Sequence, residues 1–213
     1  MEFEKLLEVV RDEPVFETGL LMAGNVSLAD VQKQLSRWRA AGRLYQLRRG
    51  VYMLAPPFQK IKPHPFKIAN HMVRGSYVSC QSALAHYGLI PDYTPVTTSV
   101  TTARAGQWDT PLGCYAYRHI QVALFHEYRL IDVDAGQNAF IATPEKALLD
   151  LIYLQPGGDA PDYLGELRLQ NLDRLNLDQL DQLAERIGSP KLRRAAAHVR
   201  KLAQSEADAY EVL

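Results

Sequence analysis

The spacing of apolar residues predicts three helices at the start of the chain. The first covers residues 3–12, and the second starts at Pro14 and ends near Gly24. The third is capped by Ser27, with Asp30 three residues later as a weak capping box. The apolar positions of the three helices are Phe3, Leu6, Leu7 and Val10, then Val15, Phe16, Leu20 and Leu21, then Leu28, Val31, Leu35 and Trp38.

A β-hairpin is predicted after the third helix, which stops near Gly42. Residues 44–48 and 51–54 are the predicted strands. Arg49 and Gly50 between them are enough for a tight turn, in which glycine supplies the positive φ. Helix, helix, short turn, helix and hairpin is the element order of a winged helix-turn-helix.

The third helix presents a polar face opposite its apolar stripe, as a recognition helix in the major groove requires. Arginine and lysine bind guanine edges or phosphates, glutamine pairs with adenine, and small residues permit close approach. The face comprises Lys33, Ser36, Arg37 and Ala40, with Gln32 and Arg39 on its flanks. Arg43, Arg48 and Arg49 in the turn and hairpin are predicted to hold phosphates beside it. The alternative for such a helix is an ordinary solvated face.

Charge is segregated along the chain, although the formal net charge is zero. Residues 31–91 contain ten Lys or Arg and no Asp or Glu, whereas residues 1–30 contain seven acidic and two basic side chains. Charge of one sign repels itself in a folded domain, so this pattern predicts a polyanionic partner, most often nucleic acid. The basic residues beyond the hairpin either extend this surface or are solvated; they are Lys60, Lys62, Lys67 and Arg74.

The rest of the chain is predicted to form a mixed α+β domain. Residues 55–65 contain four prolines and are predicted to link a domain at 1–54 to one at 66–213. Strands are predicted at 96–102, 113–120, 122–130 and 138–142, and helices at 66–74, 80–87, 161–168, 177–187, 190–204 and directly after Thr143. The predicted fold class is therefore α+β, with an N-terminal winged helix-turn-helix and a helical C-terminal end.

Five segments of the chain resemble the AbiEi-type antitoxin family. Leu35–Trp38, Gly42–Leu44 and Leu47–Tyr52 are similar to the N-terminal winged helix of that family. Ser79–Leu89 and Ala142–Leu151 look like its antitoxin domain. The resemblance implies a winged helix that represses its own operon and a second domain that counters a nucleotidyltransferase-like toxin. It also implies a type IV antitoxin, which acts without a stable complex with the toxin.

Enzymatic chemistry has little support in the sequence. The six histidines show neither HxxxH nor HExxH spacing, the two cysteines are far apart, and GxSxG, GxxxxGK[ST] and GxGxxG motifs are absent. A nuclease would need carboxylates and a lysine to hold Mg²⁺ and activate water, and the candidates are Asp132, Asp134, Glu145 and Lys146. Their spacing is poor, because Glu145 and Lys146 are adjacent. We therefore predict no enzyme, no metal site and no cofactor.

A second basic patch lies between residues 186 and 201, which include six Lys or Arg and no acidic residue. Its members are Arg186, Lys191, Arg193, Arg194, Arg200 and Lys201. One interpretation is a solvated face that complements a helix C-terminus. The other is a second contact with nucleic acid, or with an acidic protein or RNA.

These features together predict a cytoplasmic, DNA-binding autorepressor that is also the antitoxin of a toxin–antitoxin pair. Its expected partners are its own double-stranded operator DNA and a nucleotidyltransferase-like toxin. No apolar run approaches the roughly 18 residues of a membrane span, and the acidic N-terminus is unlike a secretory signal. The alternative is a stand-alone winged-helix transcription factor whose second domain senses a ligand or binds a partner.

Overall fold

The chain forms two units that share one β-hairpin. The computed structural model describes residues 2–22, 26–91 and 95–211. The helices are α1 Phe3–Val10, α2 Leu28–Ala40, α3 Pro65–Met72, α4 Cys80–His86, α5 Pro144–Leu154, α6 Pro161–Glu166, α7 Leu177–Ile187 and α8 Pro190–Glu211. The strands are β1 Phe16–Glu17, β2 Leu44–Arg48, β3 Val51–Leu54, β4 Ser76–Val78, β5 Val96–Thr101, β6 Gly106–Thr110, β7 Gly113–His119, β8 Tyr128–Asp134 and β9 Gln137–Ala142. The short 3₁₀ helices are Thr18–Leu21, Val122–Leu124 and Leu172–Arg174.

The first unit combines α1 and α2 with a three-stranded antiparallel sheet in the order β1-β3-β2. The predicted first and third helices and the hairpin are confirmed, and Gly50 has the expected positive φ of 82°. Ser27 precedes α2 as predicted, but its side chain makes no capping hydrogen bond, so the predicted capping box is not formed.

The predicted second helix is wrong. Phe16 pairs with Tyr52 of β3, and only Thr18–Leu21 is helical, as a 3₁₀ turn. The reason is that neighbouring side chains enter different cores: Val15 packs in the second unit and Phe16 in the first. Such alternation suits a strand and not a helix. The predicted helix end at Gly24 lies outside the described residues.

The strand β3 lies between the hydrophobic cores of the two units. Tyr52 and Leu54 pack into the first core, whereas Val51 and Met53 pack into the second. Both faces of the strand are therefore buried, which explains why four consecutive positions are apolar. The hairpin is a structural joint between the units.

The second unit is built on a six-stranded mixed sheet in the order β6-β7-β5-β4-β9-β8. The β4–β9 and β5–β7 pairs are parallel, and the other pairs are antiparallel. The helices α5, α7 and α8 pack against one another at the C-terminal end. The predicted α+β class with a helical C-terminal end is confirmed.

Two strands of this sheet, β4 and β6, were not predicted, and the predicted strand at 122–130 is wrong. Val122–Leu124 is a 3₁₀ helix, and β8 begins only at Tyr128. Glu127 directly before β8 has a φ of 57°, which is incompatible with an extended strand through this point.

The proline-rich segment is fixed to both units. The ring of Phe58 packs edge-on against Phe3 of α1, with the ring centroids 4.9 Å apart. On the other side, the Gln137 side chain accepts a hydrogen bond from the His64 amide at 2.9 Å and donates one to the Lys62 carbonyl at 3.0 Å. The segment is therefore an ordered connector.

Candidate nucleic-acid interface

The helix α2 separates a buried stripe from an exposed polar face, as its sequence predicts. Val31, Leu35 and Trp38 are 3%, 0% and 7% exposed. The positions of the predicted polar face are all exposed; they are Gln32, Lys33, Ser36, Arg37, Arg39 and Ala40. A groove-binding helix needs this arrangement, because its outer face must be free of other protein elements.

Most basic side chains of this face, of the following turn and of the hairpin tip are not engaged by acidic groups. Within the described part of the chain, Lys33, Arg37, Arg43 and Arg49 form no ion pair. The Arg43 guanidinium lies over the Phe3 ring, 4.8 Å from its centroid, which orients the side chain without neutralising it.

Arg39 is held close to the hairpin by a neutral partner. Its Nη1 atom donates a hydrogen bond of 2.6 Å to the Gln46 side chain of β2. The charge of Arg39 is therefore held beside β2, and Arg49 at the tip of the same hairpin is exposed. The basic face thus continues from α2 onto the hairpin.

The structure assigns Arg48 a different role from the predicted phosphate contact. Its Nη1 atom donates to the carbonyl of Met72 at 2.5 Å, at the end of α3. Its guanidinium also lies over the ring of Trp108 in β6, 4.9 Å from the centroid. Arg48 therefore fastens the hairpin to the second unit. The pairing of β2 with β3 shifts register between Gln46 and Arg48, and this irregularity lets both Leu47 and Arg48 contact that unit.

Part of the charge segregation has a structural explanation within the protein. Lys60 pairs with Asp12 at 3.1 Å, and Arg74 pairs with Glu17 through two hydrogen bonds of 2.7 and 2.9 Å. The acidic N-terminal residues thus bind basic residues of the connector and the second unit. Among the described residues, eight of the ten basic side chains of residues 31–91 form no ion pair. Six of these lie on α2, the following turn and the hairpin, and the other two are Lys62 in the connector and Lys67 in α3.

The second basic patch is largely engaged by groups of the protein itself. Arg186 pairs with Glu127 at 2.9 Å, Arg193 with Glu185 at 3.4 Å, Arg194 with Asp159 at 2.7 Å, and Arg200 with Asp178 at 2.8 Å and Asp181 at 2.6 Å. The ammonium of Lys191 donates to the Gln155 carbonyl at 2.5 Å, just beyond α5. Lys201 is exposed. These contacts favour the structural interpretation over a second nucleic-acid contact.

The two resembling segments of the second unit meet in its interior. Asp150 of α5 accepts hydrogen bonds from Ser79 Oγ at 2.7 Å and Tyr77 Oη at 3.0 Å, and it pairs with Lys146 one helical turn earlier. Lys146 also donates to Tyr77 Oη at 2.9 Å. Both charged side chains are at most 3% exposed. Burial raises the pKa of Asp150, and the Lys146 ammonium opposes that shift.

The candidate nuclease residues do not form a site. Asp132 and Asp134 are exposed on β8, whereas Glu145 and Lys146 are buried. Glu145 accepts a hydrogen bond from the Asn176 amide at 2.9 Å, which fixes the start of α7. Among the described residues, no group of three or more His, Cys, Asp or Glu side chains is arranged to hold a metal ion.

The two cysteines are free. Burial raises the pKa of the Cys80 thiol to about 12, so it is protonated and unreactive at neutral pH.

Among the described helices, none combines the length and apolar character that crossing a membrane requires.

Comparison with known proteins identifies a similar fold. The crystal structure of the RV2827C protein from Mycobacterium tuberculosis matches with a TM-score of 0.55 and 18% sequence identity, over 92% of this chain and 74% of that chain. At this identity the likeness concerns the fold alone. No protein-family model matches the sequence. No curated protein matches it either.

Proposed function

We propose that the protein is a winged-helix DNA-binding regulator that represses its own operon. The observation that carries this proposal is the exposed basic face of α2, which continues onto the hairpin tip and forms no ion pairs at Lys33, Arg37, Arg43 or Arg49 among the described residues. The short strand β1 supports it, because β1 pairs with β3 and completes the three-stranded sheet of a winged helix. The hairpin is the wing, and α2 is the recognition helix.

DNA binding by this face is expected to depend steeply on salt. Five basic side chains remain available for phosphates or base edges: Lys33, Arg37, Arg39, Arg43 and Arg49. If all five neutralise phosphates, log K falls with log salt at a slope of about −4 to −5. Fluorescence anisotropy with a duplex from upstream of the gene measures this slope between low and moderate salt. A binding constant that barely changes with salt contradicts the proposal.

Arg37 and Arg49 are expected to differ in what they recognise. Arg37→Ala removes a side chain from the exposed face of α2 and should weaken binding to the operator by about 1–3 kcal/mol, more than binding to random DNA. Arg49→Ala removes a wing contact and should weaken binding to both duplexes alike, while the salt slope becomes shallower by about one unit. Arg194→Ala, in the second patch, is the matched control and should change neither. Equal losses on both duplexes for Arg37→Ala and Arg49→Ala contradict this division.

We also propose that the second unit counters a nucleotidyltransferase-like toxin. The support is the resemblance of Ser79–Leu89 and Ala142–Leu151, which the fold joins through the buried contacts of Asp150. The test is co-expression with the protein of the adjacent reading frame, both genes under constitutive promoters. The full chain should restore growth, and a Lys33→Ala/Arg37→Ala variant should restore it equally while losing operator binding. Loss of rescue together with loss of DNA binding contradicts separate functions of the two units.

A ligand-sensing transcription factor is the second candidate function. The observation that favours it is a cleft of about 600 Å³ between the units, bordered by Arg11, Leu20, Ile61, Lys67 and Gln137. A ligand in this cleft would touch both units and the connector. Co-expression with the protein of the adjacent reading frame distinguishes the two candidate functions, because a ligand-sensing transcription factor would not restore growth.

A further inference from the structure

One carboxylate lies within the basic face of α2. Asp30 is exposed in the first turn of this helix, and no other acidic residue occurs in the sequence until after residue 91. Lys33 and Arg37 follow it by three and seven residues, so the three side chains share one side of the helix. Together they border a surface cleft of about 360 Å³.

The contacts that the described residues make with Asp30 do not explain its place on this face. Among the described residues, it forms no ion pair with a Lys or Arg side chain. The capping arrangement that Ser27 and Asp30 were expected to form is absent, because Ser27 makes no side-chain capping bond. The helix dipole favours an acid anywhere in the first turn. It does not account for the position of Asp30 on the side of Lys33 and Arg37.

A carboxylate on a DNA-binding face restricts what can lie opposite it. A phosphate close to Asp30 is repelled, since both groups are negative. The major-groove edge of cytosine, in contrast, presents the N4 amino group as a hydrogen-bond donor, and aspartate accepts from it. On a face that contacts DNA, the arrangement that gives such an acid a favourable contact is therefore one opposite a base edge with an amino donor.

We propose that Asp30 is a specificity-determining residue, which accepts a hydrogen bond from the N4 amino group of a cytosine in the major groove. The negative charge of Asp30 also weakens binding to random DNA. On a sequence without that cytosine, Asp30 faces phosphates or base edges that lack an amino donor. This inference rests on the proposed DNA binding through α2. It predicts a cytosine at one fixed position of each recognised site.

The test selects sites from a randomised duplex library with the full-length protein and two variants. The wild type should select cytosine at one position, with a preference of about 5- to 150-fold over other bases, which corresponds to 1–3 kcal/mol. Asp30→Ala should lose that preference and bind random DNA several-fold more tightly. Asp30→Asn should change the preference at this position to adenine, because asparagine pairs with adenine N6 and N7.

Asp162→Asn is the matched control, since Asp162 is also an exposed acid in the first turn of a helix, in the second unit. It makes the same change in net charge and should leave the selected site and the affinity for random DNA unchanged. Unfolding midpoints of all variants show whether the fold is intact.

Two results overturn the inference while leaving the proposed function in place. In the first, the wild type selects a site, and both Asp30 variants select the same site with an unchanged ratio of specific to random affinity. In the second, both variants keep their unfolding midpoints but lose binding to every duplex, although removal of a negative charge should strengthen phosphate contacts. A wild type that binds no duplex at all overturns the proposed function itself.

Discussion

Asp150→Ala is expected to lower the free energy of unfolding by about 3–5 kcal/mol, because it leaves the buried Lys146 ammonium without its anion. The side chain of Lys146 is only 1% exposed. Ser79 and Tyr77 lose the acceptor of their hydroxyl hydrogen bonds at the same time. For a chain of this size the midpoint of thermal unfolding falls by about 2–4 °C per kcal/mol. Urea denaturation followed by circular dichroism measures the change.

Lys146→Met should cost less than Asp150→Ala, and its cost should depend on pH. Asp150 keeps its bonds from Ser79 and Tyr77 and can accept a proton, because burial already raises its pKa above the ordinary value. A carboxyl group with a raised folded-state pKa binds more protons in the native state than in the unfolded state. The stability of Lys146→Met therefore rises as the pH is lowered from 7 toward 5.

The exposed Lys5–Glu8 pair supplies the control for the buried one. It lies on α1 at a spacing of three residues, with both side chains more than half exposed. Glu8→Ala should leave the unfolding midpoint unchanged within error, since exposed pairs contribute little. Equal effects of Glu8→Ala and Asp150→Ala would show that burial does not determine the stabilisation.

Local features of the fold were predictable where the sequence pattern and the tertiary contacts agree. The stripe of Val31, Leu35 and Trp38 has the helical period, and a single core covers it, so the exposed face of α2 follows from the sequence. The turn at Arg49 and Gly50 was predictable from local conformational preferences, since glycine supplies its positive φ of 82°. The face proposed to bind DNA was predictable for the same reason, because helical periodicity fixes which side chains point outward.

Features that depend on contacts distant in sequence were not predictable. The sequence predicts Arg48 as an unengaged hairpin residue. In the fold it contacts the carbonyl of Met72 and the ring of Trp108, both distant in sequence. Arg74 adds to the positive charge of its segment, yet it binds Glu17, which is 57 positions away. The pattern of β3 is equally ambiguous, because continuous apolar residues suit a buried strand without showing that two different cores bury it.

The sharing of β3 leads to the second large expected effect: residues 1–62 alone should not fold. The separated fragment would expose Val15, Leu47, Val51 and Met53, which are between 0% and 6% exposed in the full chain. Full burial of such a side chain contributes about 1.5–3 kcal/mol, so the four contribute about 6–12 kcal/mol. That is as large as the whole stability of an ordinary domain, about 5–15 kcal/mol. The circular dichroism spectrum of the fragment should be that of an unfolded or aggregated chain.

The same contacts require the two units of the intact protein to unfold together, and its two tryptophans can report this separately. Trp38 is buried in the first core, and Trp108 packs against the second. Trp108→Phe leaves only the fluorescence of Trp38, and Trp38→Phe leaves only that of Trp108. In urea, the fluorescence transition of each variant should coincide with the circular dichroism transition of the same variant. An earlier transition at Trp38, or a folded fragment 1–62, contradicts the shared hairpin. Coincidence means that the proposed DNA binding and the proposed toxin neutralisation must be tested separately by surface substitutions, since cutting the chain between the units removes part of both cores.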